Sequence, residues 1–143
     1  MQILARGLLM VLLVASFPSF AQNRPAPPDA RLSIIWPPDG EVIDGGRLWV
    51  RMGLQGMGVA PAGIDIEATG HHHFLIDTDL PPLDEPIPSD KNHIHFGAGQ
   101  TEARLTGLAP GEHTLQLMLG DHEHYPHNPP VVSEKITIIV PPY

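Results

Sequence analysis

The sequence predicts an all-β fold, an immunoglobulin-like two-sheet β-sandwich of about seven strands, and three observations carry that prediction. Short β-branched and aliphatic runs alternate with Gly, Pro and Asp clusters. Helical apolar spacing is nowhere sustained for three turns. The 14 glycines and 17 prolines recur between the apolar runs and supply the turns that many short strands need. A small barrel is the alternative architecture for the same pattern.

The chain opens with one basic residue, Arg6, an apolar run over residues 7–15, and then Ser19-Phe20-Ala21 with small residues where a signal peptidase reads. Residues 1–21 are therefore expected to be a cleavable secretory signal peptide. The apolar run is shorter than the roughly 18 residues of a membrane-spanning helix, and no second such run follows. The product is expected to be periplasmic or secreted, without membrane anchoring after cleavage. Residues 22–30 (QNRPAPPDA) read as a flexible Pro-rich leader, and residues 31–143 as a single β-sandwich domain.

Strands are predicted at residues 31–36, 47–54, 70–78, 93–97, 101–108, 113–120 and 134–140. Between them lie turn signals such as Pro37-Pro38-Asp39-Gly40, Pro110-Gly111 and Asn128-Pro129-Pro130. Alternation assigns faces: Leu48, Val50, Met52 and Leu54 point inward in the second strand, and Ile136, Ile138 and Val140 in the last. Two longer loops, 56–67 and 79–92, stand out as functional candidates. The second carries Asp79, Asp84, Glu85 and Asp90, without the ligand spacing of an EF-hand.

Composition excludes several functions. Sixteen acidic side chains against eight basic ones give a formal charge of −8, which argues against nucleic acid and anionic membrane surfaces as partners. There is no cysteine, hence no disulfide and no thiolate metal site. Glycine loops for phosphate and the Gly-x-Ser-x-Gly elbow are also absent.

The histidines carry the functional signal. All nine fall between His71 and His127: His71-His72-His73, His93-Ile94-His95, His113, His122-Glu123-His124, and His127. Strand alternation places His71 and His73 on one face of their strand and His72 on the inner one. It likewise points His93 and His95 outward, away from Ile94 and Phe96. Imidazoles two residues apart on a strand stand about 6.5–7 Å apart at Cα, close enough for both to reach one ion. If the two strands are neighbours, four histidines converge. The loop at 121–127 offers His122, His124 and His127 as further ligands or a second site.

A site of neutral imidazoles suits Cu(II) or Zn(II). Asp77 and Glu102 are candidates for carboxylates that fix a ligand histidine in one tautomer. His72 and His113, on core faces, read as structural.

The strings GMGVAPAG, GHHHFLIDTDLPPLDEPIP, NHIHFGAGQTE and LAPGEHTLQLMLGDHEHYPHNPPVVSEKITI resemble, in the same order, the bacterial exported family named domain of unknown function 4399 (DUF4399). The resemblance spans residues 31–140 and implies an exported single domain with the histidine strings among its hallmarks. It implies no reaction or ligand.

Two functional readings stand open. One is a metal-binding domain acting as carrier, buffer or accessory to a metalloenzyme. The other is a non-catalytic binding module for an envelope protein or glycan. A metal-dependent enzyme ranks behind both, since only Glu102 or Glu123 offers a general base.

Overall fold

The structure, a computed structural model, describes residues 23–142; the expected signal peptide lies outside them. Period-two alternation builds most of the strands. In Leu48–Gln55 (β3), Leu48, Val50 and Met52 are buried while Trp49 and Arg51 are exposed. The flanking strands are Arg31–Trp36 (β1), Glu41–Val42 (β2) and Gly58–Val59 (β4). Thr69–Ile76 (β5), His93–His95 (β6), Glu102–Leu105 (β7), Gly111–Gly120 (β8) and Ile136–Val140 (β9) follow.

Two sheets form a β-sandwich-like fold. The smaller has the order β1-β3-β7, and the larger runs β2-β9-β8-β5, with β4 and β6 both pairing with the far side of β5. Between the sheets lies the core, where Val50, Phe74, Leu115, Leu117 and Ile138 are fully buried. Each predicted strand has a counterpart. The two-residue strands β2 and β4 were not foreseen, since two residues display no period. Predicted strand 70–78 stops at Ile76 because Asp77 turns to φ 53°, and predicted strand 101–108 shortens ahead of Gly107 at φ 80°.

The outer face of the larger sheet is also covered. Leu75, Ile87 and Met118 form a second apolar cluster with Val132 against it. Pro126 bridges to Gly120 and Val132 to Met118, so the segments after β5 and β8 fold back over those two strands. As a result every residue from Gly70 to Ile76 is buried. The Pro-rich segment, expected to be flexible, is tied down over part of its length. Pro25 bridges to Asn128, Ala26 N–H donates to the Asn128 carbonyl and Asn128 N–H to that of Arg24.

Candidate metal centre

The site begins with the pleat of β5. His71 and His73 lie on its outer face, and the antiparallel register sets His73 opposite His95 of β6. On the other flank, His71 and His73 face Gly120 and Met118 of β8. Two glycines clear space for the rings. A Cβ on Gly120 would stand 2.8 Å from His73 Nε2, and one on Gly97 would stand 2.5 Å from His95 Nε2. Such contacts are shorter than real Cβ atoms tolerate, so each glycine makes room for an imidazole.

The fourth ring comes from the loop at 121–127. Asp121, itself buried, organises it: its Oδ1 accepts from Glu123 N–H and Tyr125 N–H, both at 2.9 Å. Asp121 N–H donates to the Tyr125 carbonyl, and His124 N–H to that of Asp121. Within this tight turn His124 adopts φ 73°, and its carbonyl accepts from Ile87 N–H at 2.8 Å, which ties the 79–92 loop to the site.

His71, His73, His95 and His124 thus form one cluster. The six distances between ring centroids run from 4.8 Å (His95–His124) to 5.9 Å (His73–His124). His71 Nε2 and His73 Nε2 are 3.0 Å apart, and one ring nitrogen from each of His71, His73 and His95 lies within 4.8 Å of the others. His71 Nδ1, His73 Nδ1 and His95 Nε2 are buried without a hydrogen-bond partner. His72 Nε2, His122 Nδ1 and His127 Nδ1, outside the cluster, also lack a partner, so what sets the cluster apart is the convergence of its rings.

The electrostatics favour neutral rings. Burial, then the neighbouring His124 and His95, lowers the His71 pKa to about 4. Burial, then His71 and His95, lowers that of His73 to about 2. His95 is lowered by burial and by His124. An ion arriving near neutral pH would meet lone pairs and displace no protons from these three. With metal–nitrogen bonds of about 2.0–2.1 Å, donors of a tetrahedral site stand about 3.4 Å apart. The His71–His73 pair, at 3.0 Å, is already within that span, and the His95 nitrogen lies within 4.8 Å of both.

The remaining histidines are placed elsewhere. His93 shares the outer face of β6, but its Nδ1 is 2.9 Å from Asp90 Oδ1. His122 faces Asp65 at 3.8 Å. His127 is buried beside the backbones of Leu119 and Thr69, and burial lowers its pKa. His72 points inward, with Nδ1 3.0 Å from the Gln100 carbonyl. Asp77 holds His113 and Glu102 pairs with Arg51, so neither carboxylate contacts the cluster. The carboxylate that shapes the site is Asp121, which sequence reasoning passed over. An Asp opening a tight, histidine-rich turn was the available signal.

The family described as Domain of unknown function (DUF4399) matches residues 50–141. No curated protein matches the chain. Among solved structures, the solution structure of the PKD domain from human KIAA0319 aligns at 13% identity, covering 90% of this chain and 92% of that one, with a TM-score of 0.43.

Proposed function

We propose, for a chain that belongs to the DUF4399 family and whose matched region contains all four clustered rings, that it binds one transition-metal ion, Cu(II) or Zn(II), as an exported carrier, buffer or accessory protein. His71, His73 and His95 would supply the core ligands and His124 the fourth. The carrying observation is the convergence of ring nitrogens from His71 and His73, both buried, and the half-buried His95, within reach of one ion. If His124, whose ring packs against the other three, is drawn in as a fourth donor, the shell is tetrahedral and closed, as a carrier site would be. An all-nitrogen donor set suits Cu(II) and Zn(II) and suits hard ions poorly.

Export rests on the sequence of residues 1–21, and the immunoglobulin-like assignment on two antiparallel-rich sheets packed over one core. No helix among the described residues is long and apolar enough to cross a membrane.

The test is titration of chelator-stripped protein, purified without a histidine tag, with Cu(II) and with Zn(II). One ion per chain is expected, with a melting temperature that rises as metal is added. At free metal one hundred times Kd the stabilisation is about 2.7 kcal/mol. His73→Gln and His95→Gln should abolish both effects. Weak binding of many ions without thermal shift would overturn the reading.

The second reading, a module for an envelope protein or glycan, draws support from the smaller sheet. Trp49 (56% exposed) and Ile35 (63% exposed) stand on its outer face with Arg51 and Arg104. Loss of in vivo function in Trp49→Ala with metal binding intact would favour it.

A further inference from the structure

A second cavity lies apart from the histidine cluster, where the edges of the two sheets separate beside β6 and β7. Its volume is about 470 Å³, within the range of small-molecule sites. Its floor is apolar, made by Ile76, Ile94, Phe96, Leu105 and Leu108. The rim carries Lys91, the pair Asp77–His113, and Arg104, which sits on the edge strand β7 where the outer face of the smaller sheet meets the cleft.

The charges of this rim can be assigned from geometry. His113 Nδ1 is 2.7 Å from Asp77 Oδ2, and its Nε2 is 2.8 Å from the Ala109 carbonyl. A carboxylate and a carbonyl only accept, so both ring nitrogens must donate and the ring is an imidazolium. Its charge cancels that of Asp77, whose Oδ1 is already occupied by Thr114 N–H. Asp77 is the only carboxylate in the lining, so nothing uncompensated repels an anion.

Arg24, Arg51 and Lys135 each have an ion-pair partner; Arg104 and Lys91, like Arg31 and Arg47, have none among the described residues, and only Arg104 and Lys91 of these border the cleft. In a chain with twice as many acids as bases, two uncompensated cations over one apolar cleft form a complementary field for a negative headgroup. A guanidinium presents a fork that fits a carboxylate.

We propose that this cleft is a binding site for a small amphiphilic carboxylate, its apolar body on the floor and its headgroup between Lys91 and Arg104. The site is independent of the metal reading.

The test uses ¹⁵N-labelled protein titrated with octanoate, with 2-naphthoate, and with octanol and octylammonium as uncharged and cationic controls. Saturable amide shifts confined to residues 76–77, 91–96 and 104–113 are expected for one or both carboxylates. The stronger of the two distinguishes an acyl chain from an aromatic acid as the natural body. Lys91→Ala and Arg104→Ala, both exposed and outside the core, should each weaken binding about tenfold, equivalent to about 1.4 kcal/mol, and leave other amides unmoved. The proposal is overturned if neither carboxylate binds at millimolar concentration, if octanol or octylammonium binds as well, or if both variants bind like the parent.

Discussion

Asp121 shows how one side chain can govern a site it does not enter. Its Oδ1 holds two amides of the turn that presents His124, so the ring's position depends on an acceptor at that point. Asp121→Asn keeps an oxygen there and should retain metal affinity to within a few-fold. Asp121→Ala leaves two part-buried N–H groups of the turn without their acceptor and should weaken metal binding at least tenfold in chelator competition. Equal affinity in the two variants would remove Asp121 from this role. His113 makes a separate residue-scale case, because its carbonyl and carboxylate partners outweigh burial and raise its pKa above 6.5. A raised pKa means the folded state holds the proton more tightly. The contribution is therefore full below pH 6.5 and is lost as pH rises through the folded value. The gap in melting temperature between parent and His113→Gln should be widest near pH 6 and narrow toward pH 9. A gap that widens with pH would contradict the imidazolium assignment.

At the scale of elements, β8 serves two faces. Leu115, Leu117 and Leu119 fill the core, while Gly120 on the other face leaves room for His73. Gly120 has no positive φ among the backbone exceptions, so alanine suits the strand itself and conflicts only with the ring and with Ile87. Gly120→Ala should therefore displace His73 and cut metal affinity at least tenfold, with the melting temperature of the metal-free protein falling by only about 4 °C, or roughly 1 kcal/mol. Unchanged metal affinity would mean that His73 is not a ligand. These elements also show what could be read in advance. Alternation located β1, β3, β5 and β8 and put His71 and His73 on one face, because side-chain direction follows from the pleat alone. It could not say that this face is buried. The cover comes from Ile87, 11 residues past the end of β5, and Val132, 12 residues past the end of β8, in segments without a period. His124 was visible only as a loop histidine, since its direction depends on the left-handed turn at φ 73° and on Asp121.

At the scale of the whole molecule, the cluster joins parts of the chain that are far apart in sequence. It ties β5, at the centre of the larger sheet, to the three-residue β6 and to the loop at 121–127, and through Ile87 to the loop at 79–92. With no cysteine in the chain, a metal would be the only covalent-like staple across these segments. An ion that binds the closed arrangement alone suppresses every opening that breaks it. Amide exchange in residues 93–95 and 121–127 should therefore slow on metal addition, by up to about a hundredfold when free metal is one hundred times Kd. Amides of the smaller sheet that exchange through local fluctuations, such as those of β1 and β7, do not break the cluster when they open and should be unchanged. Hydrogen exchange followed by mass spectrometry, with and without Zn(II), reads both groups in one experiment. Equal slowing in both sheets would show the ion stabilising only global folding, and no slowing at 121–127 would remove His124 from the ligand set while leaving His71, His73 and His95 to be judged by titration.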